Sequence, residues 1–415
     1  MDVFEKLRWI DSLSLPTVRP ERQTSGHDIE QYLGGELYRT PVGTCFLTTM
    51  RVPLPCAPVL SASCGLLHLV GKDESLRSLD LRRVAFLDCE TTGLAGGSGT
   101  YCFLVGIGAL DQGEAVVKQF FMRNLHEEPA LLHAVHQELK GYEGIVTYNG
   151  KAYDYPLLLT RFALRRMPAP ERLPHLDLLH AARRVWRDRL QTLTLNAVET
   201  KLLGVTRERD VPGELIPGIY FSYLRTRDAA QMPLVFEHNR QDITSLMQLA
   251  AMLLSLHADP ATFAGHAGDL VALGRVYEDL RLFERSAALY ELAHAKGLDA
   301  RTTEPALVRL SLCYKRLGQW DKALSLWEHM VAKGKGGIFP FVELAKYYEH
   351  RARQYHRAIE LVDRALHTLE VQELGDETWQ AGELRAELLH RRRRLLSKLG
   401  GIFHSPNDLL KDPLP

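Results

Sequence analysis

The sequence predicts an α/β domain over residues 81–257 followed by an all-α domain of helical repeats over residues 260–400. Three observations carry this prediction. Two short apolar runs, Val84–Leu87 and Ile145–Val146, read as buried strands that each end in polar residues and a turn. The stretch from Val235 through Ile243, Leu246, Met247, Leu249, Ala250, Leu253 and Leu254 repeats its apolar residues at helical spacing. After His257-Ala258-Asp259-Pro260 the pattern changes to helix pairs that recur at a near-constant interval.

Taken in chain order, residues 1–80 carry few signals. Leu37–Pro53 suggests a short strand or two, around Thr44–Thr49, and residues 1–80 are expected to be an arm packing on the following domain. The first buried strand leads to Asp88-Cys89-Glu90-Thr91-Thr92-Gly93. Gly96-Gly97-Ser98-Gly99-Thr100 then reads as a hairpin connection and lacks the Gly-Lys-Ser/Thr ending of a phosphate loop. Alternation on the strand places Cys89 on the core side, opposite Asp88 and Glu90. The second buried strand runs into Tyr148-Asn149-Gly150, and the next helix opens around Lys151–Leu159. Three helical hairpins are expected at Leu273–Ala293, Leu310–Met330 and Ala345–Ala365. Their small residues Ser286, Ala323 and Ala358 stand 37 and 35 positions apart, close to a period of about 34. A helix at Trp379–Leu399 would cap the array, and residues 401–415 form a tail.

The chemistry resides in acids at strand and helix ends. Asp88 and Glu90 lie two apart on a strand and share a face, where two like charges repel unless a cation lies between them. Carboxylate oxygens suit Mg²⁺ or Mn²⁺. Asp154 stands near a helix N-terminus at a strand exit, where ligands gather in α/β sheets. His238 and Asp242 are one helical turn apart on one face. Candidate substrate contacts are Thr91 and Thr92 beside the first acids, Tyr148 and Asn149 at the second strand end, Lys151 beside Asp154, and Arg183 and Arg184. The two arginines belong to a stretch, Arg161–Arg189, with eight arginines against three acids.

Asp88, Glu90, Asp154 and Asp242 with His238 together resemble the DEDD (DnaQ-like) 3′–5′ exonucleases, over roughly residues 81–257. The resemblance implies an RNase H-like fold, a mixed sheet flanked by helices. It implies that the four acids hold two divalent cations, Mg²⁺ or Mn²⁺, and that His238 orients the attacking water. The family's histidine subgroup places its His five residues before the last Asp. Here the gap is four, the tyrosine subgroup's spacing, which turns the side chain by about 100° around the helix. Phe86–Gly108, His175–Arg184 and Ile216–Thr226 are similar to bacterial exonucleases of the mitomycin-repair type, which join this nuclease to tetratricopeptide repeats. That likeness implies a DNA substrate, with RNA left open, a role in DNA repair, and a helicase or other repair protein as partner of the repeats; the rival reading is a non-catalytic adaptor that keeps the fold as a nucleic-acid or protein platform.

Composition sets the outer bounds. Lys and Arg number 51 against 51 Asp and Glu, so no overall field marks a polyanionic partner. Six scattered cysteines without paired spacing argue against a zinc site or disulfide framework and fit a reducing cytoplasm. The charged start is not a secretory signal, and no window approaches the roughly 18 uncharged apolar residues of a membrane span.

Overall fold

The computed structural model describes residues 29–62, 65–93, 99–207, 210–373 and 379–402. Residues 1–28 of the expected arm, most of the glycine-rich connection and the tail from residue 403 lie outside the described residues. The chain divides into two compact units, Met1–Gly265 and His266–Pro415.

The first unit is built on one mixed, seven-stranded sheet. Its strands are β1 (Glu36–Thr40), β2 (Gly43–Pro53), β3 (Val84–Thr91), β4 (Cys102–Asp111), β5 (Glu114–Phe121), β6 (Gly144–Thr147) and β7 (His175–Asp177). Their spatial order is β1-β2-β5-β4-β3-β6-β7. Strands β3, β4 and β5 form an antiparallel meander, while β6 and β7 add parallel to β3. The segment expected as a packing arm thus supplies two strands of the sheet itself, through antiparallel pairing of β2 with β5. The longer helices of this unit are α1 (Glu128–Leu139), α2 (Asp154–Leu164), α3 (Leu178–Trp186), α4 (Ile216–Thr226) and α5 (Met232–Ala258). Among the described residues no helix is long and apolar enough to cross a membrane.

Strand β3 is central and buried along its length, as its apolar run requires. Ala85, Leu87 and Cys89 join a core cluster with Leu131 and Val135 of α1 and Leu158 and Phe162 of α2. Phe86, Asp88 and Glu90 point to the other face. There their cross-strand neighbours are Gly108, Gly106 and Leu104. The glycines leave that face bare, and α5 fills the space. A Cβ on Gly106 would lie 2.2 Å from Asn239 Oδ1, and one on Gly108 would lie 2.3 Å from Ile243 Cγ2. The pairing of β3 with β4 slips by one residue between Glu90 and Thr91, a bulge at the strand end.

The second unit is helical. Its described helices are α6 (Ala267–Asp279), α7 (Phe283–Lys296), α8 (Ala300–Arg316), α9 (Trp320–Ala332), α10 (Phe339–His350), α11 (Tyr355–Glu373) and α12 (Trp379–Ile402). Ser286, Ala323 and Ala358, the small residues of the sequence repeat, are each fully buried. Ser286 donates to the Gly274 carbonyl oxygen at 2.9 Å, and a Cβ on Gly274 would meet the Tyr290 ring at 2.7 Å, so α6 and α7 touch backbone to side chain. In the Arg391–Arg394 run, Arg391 and Arg394 join Lys398 on the buried Glu349 carboxylate of α10, and Arg392 pairs with Asp363. Those cations fasten α12 to its neighbours.

The bare face of β4 gives a direct test. Gly108→Ala should destabilise the protein by roughly 1–3 kcal/mol through overpacking. Gly218→Ala, on an exposed turn of α4 with open space around it, should be neutral or gain about 0.5–1 kcal/mol from helix propensity. Urea midpoints of the two variants, compared with the parent, check the ordering.

Candidate active site

Three segments converge at the end of β3. The strand itself carries Asp88 and Glu90. The turn after β6 leads to Asp154, the first residue of α2. Helix α5 presents His238, Asn239 and Asp242 from the face that packs on the sheet. Glu90 and Asp154 are 9% and 8% exposed. The acids sense one another. Burial, then the charges of Asp242, Glu90 and Asp154, drives the Asp88 carboxyl well above its usual range. Burial pushes Glu90 up to about 8, with His238 and Arg207 pulling down and Asp242 and Asp154 pushing further up. Burial also lifts Asp154 to about 7, aided by Asp177 and Asp242.

Residues beyond the expected set hold these acids in place. Asn239, fully buried, donates from Nδ2 to Asp88 Oδ2 at 2.8 Å. Its Oδ1 accepts from Gln119 Nε2 at 2.9 Å, and Gln119 Oε1 accepts from Thr48 at 3.1 Å. This directional chain runs from β2 through β5 and α5 to the Asp88 carboxylate. Its sequence signal is the Gly106-x-Gly108 gap, since glycine inside a strand marks a close approach. Arg207 is the second addition. Its guanidinium is 8% exposed, forks onto Glu199 at 2.6 and 2.7 Å, and also pairs with Asp242. No local motif announces it, because Arg207 lies in an irregular segment and meets Asp242 only in the fold.

His238 Nδ1 lies 2.7 Å from Asp210 Oδ1, and its Nε2 lies 3.6 Å from Asp242 Oδ2. A carboxylate only accepts, so Nδ1 carries the proton in the Asp210 contact. Burial alone would lower this imidazole, but the hydrogen bond to Asp210 and the charges of Asp242 and Glu90 raise it to about 9. The residues expected at the turns divide by role. Thr91 donates to the Gly93 carbonyl oxygen at 2.8 Å, Thr92 Oγ1 accepts from Tyr101 N, and Tyr153 OH also donates to Gly93 O. These contacts shape the strand end. Asp177 accepts from the backbone amides of Asn149, Lys151 and Leu179 at 2.8, 3.1 and 3.1 Å, fixing the turn on which Asn149 adopts a left-handed φ of 65°. Asn149 and Lys151 are exposed on the turn leading to Asp154, and the Lys151 charge is felt by Asp73 and His175 and is not among the groups that shift Asp154. Arg184 donates to the Val70 carbonyl oxygen instead of facing the acids, whereas Arg183 is exposed.

The donor set is four carboxylates with one imidazole, the hard-oxygen chemistry that Mg²⁺ and Mn²⁺ take. Among the described residues no three such side chains already close around a single ion position. Asn239 holds one oxygen of Asp88 and the Arg207 guanidinium covers Asp242. The residues therefore fit a divalent cation in kind, and the Arg207 pair engages only Oδ1 of Asp242, leaving Oδ2 outside it.

Raised carboxyl pKa values make the cation-free fold pH-dependent. The folded state keeps protons that the unfolded chain, titrating near pH 4, has released. Its stability is full at low pH and falls as pH rises through about 7 for Asp154 and about 8 for Glu90. A divalent cation competes with those protons. The rise in melting temperature on adding Mn²⁺ should thus be larger at pH 8.5 than at pH 6, and it should shrink in Asp88→Asn. A shift independent of pH would contradict the clustering.

Comparison with known proteins places this geometry. An RNase H superfamily model matches residues 85–254, which contain all five candidate catalytic residues. YprB of Bacillus subtilis (strain 168), an uncharacterized protein, is 30% identical over 306 residues, covering 73% of this chain and 72% of YprB. The structure of the family B DNA polymerase from the archaeon Pyrobaculum calidifontis aligns over 47% of this chain and 28% of the polymerase, with 16% identity and a TM-score of 0.33. The chain belongs to the YprB family, and residues 85–254 of its first unit form an RNase H superfamily domain.

Proposed function

We propose that this protein is a divalent-cation-dependent exonuclease that removes nucleotides from the 3′ end of DNA and serves in DNA repair. The observation that carries the reading is the gathering of Asp88, Glu90, Asp154 and Asp242 with His238 from three distant segments onto one sheet edge. Membership of the RNase H superfamily supports hydrolysis of a nucleic-acid phosphodiester. The 3′ polarity, the DNA substrate and the repair role rest on the resemblance of the motifs to the mitomycin-repair exonucleases.

Asp88, Glu90, Asp154 and Asp242 would hold two ions, Mg²⁺ or Mn²⁺, which when bound lower the pKa of a water and neutralise the departing oxygen. The chain's own groups prepare that event. Asn239 fixes Asp88 by one oxygen and leaves Oδ1 outside that bond. Asp210 fixes the His238 ring so that Nε2 faces the acids, a placement suited to positioning water. Asp177 and the Tyr153 phenol set the two turns that frame the cluster. The second unit is read as a tetratricopeptide-like array that docks a protein partner such as a helicase, supported by the recurrence of buried Ser286, Ala323 and Ala358.

A 5′-labelled DNA strand incubated with Mg²⁺ or Mn²⁺ should shorten from its 3′ end into a ladder, and a matched RNA strand tests the sugar. Asp88→Ala and Asp242→Ala should each abolish the ladder. Asp88→Ala should leave the cation-free melting temperature unchanged or higher, because it relieves repulsion. Full activity in either variant would sink the site. Asn239→Ala removes a hydrogen bond to a charged group, worth about 1.5–3 kcal/mol. It should raise the Mn²⁺ concentration for half-maximal cleavage about tenfold or more.

A further inference from the structure

The sequence stretch richest in arginine does not act as one patch. Arg161 and Arg165 are both spent on Glu128, whose side chain is 2% exposed, and Arg161 also stacks over Tyr101 at 3.9 Å. Arg184 is held by the Val70 carbonyl. Arg183 and Arg187, on successive turns of one helical stretch, remain at the surface and border a cleft of about 550 Å³. Tyr148 and Asn149 line it too, with Gln191, Leu193, Thr194 and Leu195. Leu179, Leu190 and Leu193 supply an apolar floor, and no carboxylate is among the lining residues. Arg187 shares a surface contact of 3.8 Å with Asp188.

The cleft is both rigid and well placed. Tyr148 OH donates to the Leu193 carbonyl oxygen at 2.6 Å, which ties its two walls together. Asp177 pins the Asn149 amide from below. It opens at the end of β6, which runs parallel to β3 with Phe86 opposite Val146, so the mouth lies at the same sheet edge as Asp88 and Glu90. From there the chain continues through Asn149 to Asp154. A polyanion whose end is held at the carboxylates can extend past Asn149 and bring its phosphates to two arginine forks, with sugar or base on the leucine floor.

Resting on the exonuclease reading, we propose that this cleft binds the single-stranded sugar-phosphate chain just before the terminal nucleotide. It grips by phosphate and shape, without reading sequence. Single-stranded substrates long enough to reach Arg183 and Arg187 gain affinity there, and a lone nucleotide ester does not.

The test uses the full chain carrying Arg183→Gln and Arg187→Gln together, both exposed and outside the hydrolytic set. Binding of a fluorescent 20-residue thymidine oligonucleotide is followed by anisotropy in an Asp88→Asn background. The double substitution should weaken binding about tenfold. It should also flatten the salt dependence by about 1.4 in log K against log salt, two phosphate contacts at roughly 0.7 each. In the catalytically intact protein, KM for the oligonucleotide should rise by a similar factor, and by clearly more than KM for thymidine 5′-(p-nitrophenyl phosphate). Unchanged oligonucleotide binding overturns the inference. Arginine-dependent capture of polyglutamate in place of the oligonucleotide also overturns it, pointing to an acidic peptide. If the parent hydrolyses neither substrate but binding still falls, the exonuclease reading fails and the cleft assignment stands.

Discussion

Four carboxylates forced together at a buried strand end set the terms for the rest of the first unit. Each would prefer water, and each raises the cost of ionising the others. The fold answers with oriented dipoles and two fixed cations. Asn239 gives Asp88 a donor it cannot lose without leaving a buried oxygen unsatisfied. Arg207, anchored by Glu199, lends positive charge to Asp242, and His238 does the same from the other side. Glu199 is itself buried and takes a further hydrogen bond from Ser245 of α5. The site is thus an electrostatic arrangement held at tension by Asn239, Arg207 and Glu199, which stand outside the candidate catalytic set, together with His238, which stands inside it.

That arrangement requires α5 to lie unusually close to the sheet, and β4 permits it. Gly106 and Gly108 sit opposite Asp88 and Phe86, the two places where side chains would push the helix away. Ile243 and Met247 fill the space over Gly108, while Asn239 reaches across Gly106. Packing and chemistry here are the same contact: the helix that buries apolar surface on the sheet also delivers His238, Asn239 and Asp242.

Much of this was legible in the sequence where the signal was local. Asp88 and Glu90 follow from strand alternation, and His238 with Asp242 from helical spacing. The buried small residues of the second unit follow from their interval. What stayed hidden depends on contacts between segments far apart in the chain. Arg207 and Asp242 are 35 residues apart, and Gln119 and Asn239 are 120 apart, and neither pair leaves a pattern in a window. Composition alone also could not sort the arginines, because whether one pairs with Glu128 or faces solvent is decided by tertiary packing. Residues 36–53 offered the signal of a short strand or two and no indication that they would extend a sheet whose centre lies beyond them in the chain.

Asp177 has a mechanical consequence. One carboxylate bonds the amide that starts α3, the amide of Asn149 and the amide of Lys151. It acts as a rivet joining helix and turn, so the two cannot move independently. A load applied to α3 is carried through this joint to the backbone just before Asp154. The stiffness of the acid cluster is then set partly by a residue that need touch neither cation nor substrate.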